Sequence, residues 1–287
     1  MRQLIGALTA LEEFTGRRAD ALMCAEAGGL NSATPFCVAS ARGLPLVDGD
    51  LMGRAFPEIQ MTLCTLHGIT ASPLTLADEQ GNSLVVNAVN NKFSERFVRS
   101  AVSEMGGSAC MALYPMTGAQ AKSATLRGSL SQLVEVGRAL VSARAHNADP
   151  IETLRRTTNG LVIYRGKVVD VKRQIEGGFS RGHARIAALD AGRAAIDELV
   201  LDFQNEFLVA RSGETVLATT PDLIMLLDLE TGEPITGELI RFGLRVAVLG
   251  VPCVPQWRSE AALELVGPRY FGYDIDYLPV EERAPAI

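Results

Sequence analysis

The chain has 287 residues, 47% hydrophobic and 21% charged, with a formal net charge of −6. Such a length suits one large or two ordinary domains, and such a composition buries a core instead of leaving the chain disordered. The acidic balance, with no dense run of Lys and Arg, argues against nucleic acid or an acidic membrane as partner, and no apolar run approaches the roughly 20 residues of a membrane span.

Five cysteines, Cys24, Cys37, Cys64, Cys110 and Cys253, form no CxxC pair, which fits a reduced, cytoplasmic setting. The start carries no secretory pattern, because Arg2 opens an acid-containing helix. In that helix Leu4, Leu8, Leu11 and Phe14 recur at helical spacing, and Gly16 closes it. Ala21 to Ala25 reads as a short buried strand running into Glu26-Ala27-Gly28-Gly29. Asn31 or Ser32 suits the cap of the next helix, Pro35 its first turn and Gly43 its end. Leu44 to Val47 is a second short apolar strand, so residues 21–47 predict a βαβ unit with neighbouring parallel strands.

Directly after it comes Asp48-Gly49-Asp50-Leu51-Met52-Gly53-Arg54-Ala55-Phe56-Pro57-Glu58, three carboxylates and a guanidinium at a strand-to-helix junction. Asp48 and Asp50 fall at the carboxyl end of a strand, where open α/β sheets place ligands. Glu58 falls in the first turn of a helix expected from Pro57. If the two strands are adjacent, Glu26, Asp48 and Asp50 converge on one crevice. The same residues also suit turn closure and a structural ion pair.

Further along, residues 73–87 predict a hairpin turning at Gln80-Gly81-Asn82, Ser94 to Met105 a helix, and Ala109 to Tyr114 a strand. Ser129 with Gln132 opens a helix to Ala145. After Asn159-Gly160 the texture changes to strands: 161–164 and 167–171 about Arg165-Gly166, then 199–210, 215–218, 223–228 and 244–249. The expected organisation is an α/β domain with a mostly parallel sheet over 1–157 and a β-rich domain over 158–255. An aromatic tail, 256–287, is expected to return to the first domain.

Other chemistry is less marked. His67, His146 and His183 make no zinc-binding pattern. The loop Gly177-Gly178-Phe179-Ser180-Arg181-Gly182 lacks the Lys-Ser/Thr ending of a P-loop, so no nucleotide is expected. A divalent metal on Glu26, Asp48 and Asp50 is chemically suitable, and the cofactor stays open. Cys24 lies two residues from Glu26, but a buried cysteine is usually an inert small hydrophobe. Asn205-Glu206 interrupts an otherwise apolar strand and suits either a site or a polar network.

The segment 48–58, with Glu26-Ala-Gly-Gly-Leu-Asn31, Ala77 to Asn82, Gly178 to Gly182, Gln204-Asn205-Glu206, Thr220 to Ile224 and Gly267-Pro268-Arg269, resembles the S-methyl thiohydantoin desulfurase family. That family is hydantoinase/oxoprolinase-like, and the motifs occur in its order over nearly the whole chain. The resemblance implies an α/β domain with a β-rich one, and an amino-terminal glycine-rich stretch absent here, as though the chain were shortened. It implies hydrolysis of a hydantoin-type cyclic ureide, or of an S-methyl thiohydantoin with release of methanethiol. Asp48 or Asp50 would then activate water, Glu26 would hold the ring nitrogen protonated, and Arg54 would bind a ring oxygen or stabilise the tetrahedral intermediate. Asn31, Gly53, Glu58, Phe179, Asn205 and Glu206 would line the substrate. The expected partners are a small cyclic ureide-like molecule and further copies of the chain in a homo-oligomer. The alternative is a non-catalytic ligand-binding or complex-forming subunit.

Overall fold

The computed structural model describes residues 1–190 and 196–283, so the end of the expected tail, 284–287, lies outside the described residues. The chain divides into two compact units, Met1–Ser131 and Gln132–Ile287.

The first unit opens with α1 (Arg2–Thr15), whose Ala7, Leu8 and Leu11 are buried and whose end is the left-handed Gly16. Next come α2 (Gly29–Arg42), β1 (Gly49–Asp50), α3 (Leu63–Leu66), β2 (Leu74–Ala77), β3 (Ser83–Val86) and α4 (Asn91–Glu104). They are followed by β4 (Cys110–Ala112), α5 (Gly118–Ala124), β5 (Leu126–Arg127) and α6 (Ser129–Ala145), the last crossing into the second unit. Strands β3, β2 and β4 form a small antiparallel sheet against which α1 packs. Its core includes Leu74, Leu76, Val86, Val98 and Tyr114.

The expectation of a mostly parallel sheet is overturned. Every strand pairing in the described residues is antiparallel. The only parallel contact among them is one isolated bridge, Leu22 to Leu46. The apolar runs at 21–25 and 44–47 are too short to distinguish a strand from any other buried segment, and Pro45 has no N–H to donate to a ladder. After Val47 the chain turns and pairs β1 with β5 instead. The helix expected from Pro57 is likewise reduced to the single turn of α3.

The second unit contains α7 (Pro150–Thr157), β6 (Leu161–Glu176), β7 (Phe179–Ala188), β8 (Glu198–Gln204), β9 (Glu206–Ser212), β10 (Thr215–Thr219), β11 (Leu223–Asp228), β12 (Arg245–Val251) and α8 (Glu260–Val266). Seven strands make one antiparallel sheet in the order β10-β9-β8-β7-β6-β12-β11. The expected turn at Arg165-Gly166 is instead the interior of the sixteen-residue β6. A Cβ on Gly166 would lie 2.4 Å from the Ala187 carbonyl, so close strand packing explains that glycine. Ile186, Leu199, Leu201, Val246 and Val248 fill the main core, while Ile151 and Leu154 of α7 pack with Leu227, Ala247 and Leu249.

Two residues of the tail are tied into this second unit. Val280 enters the main core, and its N–H donates to buried Asp222 at 2.7 Å. Tyr277 donates to the other oxygen of Asp222 at 2.9 Å. No helix among the described residues is long and apolar enough to cross a membrane.

Candidate active site

Three stretches of the first unit lie side by side. Val47 N–H donates to the Leu22 carbonyl at 2.8 Å, Leu51 N–H to Ala25 at 3.1 Å, and Leu63 N–H to Leu51 at 2.9 Å. Residues 22–27 therefore run along 46–53, and Leu63 is tied to Leu51. Asp50 ties the arrangement together. Its Oδ2 accepts from the backbone N–H groups of Ala27 (3.0 Å), Met52 (3.2 Å) and Gly53 (2.8 Å). Gly53 has φ 73°, a conformation that costs glycine least, and it lets the chain bend back over the carboxylate. Asp50 is wholly buried, and its Oδ1 has no hydrogen-bond partner.

The acids beside it have distinct surroundings. Asp48 is exposed; its carboxylate accepts from the Ser131 N–H (3.0 Å) and hydroxyl (2.6 Å), so it holds the amino end of α6. The Ser131 hydroxyl above all, then the Ser131 amide, keeps Asp48 below the usual carboxylate range. Glu26 is partly exposed, and its Oε1 is 3.3 Å from where a Cβ on Gly28 would stand. It thus rests near the amino end of α2, where a helix favours an anion. Cys24 sits among these acids. Burial first, then the Asp50, Glu26 and Asp48 carboxylates, push its thiol up to about 12, so it is no thiolate nucleophile at neutral pH.

Arg54 is buried, donates from Nε to the Ala55 carbonyl at 2.9 Å, and lies 4.9 Å from the centre of the Phe56 ring. Glu58 is partly exposed and accepts from the Gln60 side-chain amide. Asn31 is exposed in the first turn of α2, whose cap is Gly28 and not Asn31 or Ser32. The structure thus gathers Glu26, Asp48, Asp50 and Gly53, with Arg54 and Glu58 following on the same segment.

Phe179, Asn205 and Glu206 belong to the second unit. Phe179 is buried under the Arg181 guanidinium. Asn205 has φ 56° and forms the corner between β8 and β9; its Oδ1 accepts from Ser180 N–H at 2.8 Å. Glu206, half-buried, begins β9.

Three residues around the 57–59 backbone escape sequence reasoning. Arg99 Nη2 donates to the Pro57 carbonyl at 3.0 Å, Glu95 Oε2 accepts from Ile59 N–H at 2.9 Å, and Tyr114 donates to the Ile59 carbonyl at 2.8 Å. Only the positive φ of Tyr114 (54°) marks them out, and that is invisible in the sequence. Among the described residues, no group of three or more His, Cys, Asp or Glu side chains is placed to hold a metal ion.

Family models separate the same chain into two parts, the S-Me-THD-like N-terminal domain over residues 1–88 and the S-Me-THD-like C-terminal domain over residues 89–280. The chain belongs to the S-Me-THD-like family. A hydrolase-type activity on hydantoin or thiohydantoin rings is what that family name implies. The S-Me-THD-like N-terminal match holds Glu26 and the whole 48–58 segment, and the C-terminal match holds Glu95, Arg99, Tyr114 and the seven-stranded sheet. Among solved structures, a protein from Chromobacterium violaceum superimposes with a TM-score of 0.78 at 24% identity, over 97% of this chain and 79% of that one. That likeness concerns the fold. No curated protein matches the chain.

Proposed function

We propose that the protein hydrolyses an S-methyl thiohydantoin or a related hydantoin-type ring, releasing methanethiol from the former. The observation that carries this reading, beside family membership, is the buried Asp50 carboxylate joining the Ala27 amide to the 52–53 turn. It holds the Glu26 loop against the segment that leads to Arg54 and Glu58.

Water adds to the ring carbon that bears sulfur, forming a C–O bond, and the tetrahedral intermediate collapses by breaking C–S. Of water's two protons, one ends on the ring nitrogen and one on the departing sulfur. Asp48 is committed to Ser131, and Asp50 Oδ2 to three amides. Asp48 therefore secures the start of α6, and Asp50 serves as a positioning residue. Glu26 protonates the ring nitrogen, Glu58 takes the proton from water, and Arg54 balances charge developing on the added oxygen. The ring is small and neutral, which suits a site of backbone amides and a few carboxylates. The same reading places the enzyme in the cytoplasm, where its five free cysteines persist, and as a homo-oligomer.

The test is methanethiol release into the headspace from a synthetic S-methyl thiohydantoin, beside ring opening of the parent hydantoin. Glu26→Gln and Glu58→Gln should each lower kcat by about 100-fold or more, the usual worth of a positioned proton-transfer group. Full-rate Gln variants would reject these roles. A ring that raises the melting temperature but is never turned over would favour the non-catalytic binding subunit.

A further inference from the structure

Residues 56–60 belong to no helix or strand, yet they carry Glu58. In such a stretch the backbone groups need partners from elsewhere. The Glu58 and Gln60 carbonyls accept from the nearby Met61 and Thr62 N–H groups, and three other backbone groups take side chains distant in sequence. The Pro57 carbonyl takes Arg99, the Ile59 N–H takes Glu95, and the Ile59 carbonyl takes Tyr114. The bonds land on both sides of Glu58, so they set the direction of its Cα–Cβ bond. Its carboxylate is then steadied by the Gln60 amide.

The holding groups are themselves ordered. Glu95 and Arg99 are one turn apart on α4 and ion-paired at 2.5 Å, with Glu95 nearly buried. Tyr114 sits at φ 54°, a conformation bulky L residues seldom adopt and one that persists only where the surroundings impose it. Its own N–H donates to the Ala71 carbonyl at 3.1 Å, which anchors the strained residue at its other end. Burial pushes the Tyr114 phenol up to about 12, so it stays a hydrogen-bond donor throughout the physiological range.

We propose that Glu95, Arg99 and Tyr114 are positioning residues that clamp the backbone on either side of Glu58 and so present its carboxylate to the attacking water. The clamp rests on the reading of Glu58 as the water-activating group. It explains why three polar side chains from α4 and the end of the β4 segment converge on one irregular loop, where apolar packing alone would bury it but leave its direction loose.

The deciding experiment uses the full chain with Tyr114→Phe and Arg99→Lys, each alone and combined with Glu58→Gln. The first removes a single hydroxyl; the second keeps a cation for Glu95 but loses the fork that reaches Pro57. In the wild-type background each should lower kcat by about tenfold while KM changes by less than about twofold, as misalignment of a reacting group does. Amide exchange should quicken over 57–61. In the Glu58→Gln background neither should lower the residual rate further. An equal loss in both backgrounds, or no loss of kcat in either variant, would overturn the clamp. If the wild type turned over neither ring, the hydrolase reading would fail on its own account. The clamp would then be judged by amide exchange alone: quicker exchange over 57–61 in Tyr114→Phe would keep it as the hold on that backbone, and unchanged exchange would reject it.

Discussion

In the second unit the backbone is held by a ladder: β6 runs sixteen residues, its neighbours pair along most of their length, and the side chains between them are left to be apolar. In the first unit no strand exceeds four residues. There, polar side chains do what ladders do in the other unit. Asp50 takes three amides, Asn91 takes the Ala71 N–H at 2.7 Å and gives to the Ile69 carbonyl at 3.0 Å, and Glu95 and Tyr114 take both polar groups of Ile59. The difference teaches where chemistry is to be sought. A ladder satisfies backbone and frees side chains for packing, whereas an irregular backbone pinned by buried polar groups can turn several acids toward one place.

The sharpest way to break this comparison is Asp50→Ala. It leaves three amides without an acceptor, those of Ala27 and Met52 in a buried setting, and should cost about 4 kcal/mol, since each orphaned buried group costs roughly 1–3. Asp50→Asn keeps one carbonyl oxygen for those amides and should cost about 1 kcal/mol. Urea unfolding of both variants checks the pair; similar losses would mean that the amides do not depend on Asp50.

The matching change in the second unit is Leu201→Ala. Leu201 is completely buried between Ala184 and Ala210, its partners across the ladder. Removing its branch should cost about 3 kcal/mol through lost burial and a residual cavity. No hydrogen bond is lost, so hydrogen exchange of β7 and β9 should rise only in proportion to global stability. A selective opening of those strands would contradict the view that the ladder holds them.

Asn205 is the place where the second unit behaves like the first. It breaks the ladder at a positive φ, and its side chain accepts from β7. Asn205→Ala loses that acceptor and keeps the strain, for about 2 kcal/mol; Asn205→Gly loses only the acceptor, for about 1 kcal/mol. Thermal melting that ranks alanine above glycine would refute the corner role.

These contrasts also explain what the sequence could convey. α1 was readable because Leu4, Leu8 and Leu11 repeat every turn and Gly16 follows, and the β2–β3 hairpin because Gln80-Gly81-Asn82 marks its turn, which Asp78 closes onto Asn82. The parallel sheet was not there to be read: two apolar residues after Pro45, Leu46 and Val47, do not decide a strand's partners. The positive φ of Asn205 divided what looked like one strand into β8 and β9. The reverse happened at Gly166, whose role in close strand packing looked like a turn. At the candidate site, Glu26, Asp48 and Asp50 could be linked through the 21–47 unit, and the single bridge from Leu22 to Leu46 does set those stretches side by side. The Glu95–Arg99–Tyr114 clamp had no such signal, because its bonds reach 36, 42 and 55 residues along the chain.

The smallest expected effect belongs to Asp48, and its pH dependence separates a structural acid from a reacting one. Ser131 lowers the Asp48 pKa from its ordinary 3.8 in the folded chain. A group whose folded pKa is depressed adds stability above its unfolded value, and that stability is lost as pH falls through the folded value. Wild type should therefore melt slightly above Asp48→Asn at pH 7, the gap narrowing once the pH drops below about 3.8. High salt should leave most of the gap in place, because it comes from two short hydrogen bonds and not from a distant charge. Turnover of the thiohydantoin by Asp48→Asn should stay within about twofold of wild type, because the Asp48 carboxylate is bonded to the start of α6. A gap that persisted unchanged to pH 2, or a large loss of kcat with unchanged melting, would move Asp48 from the fold to the chemistry.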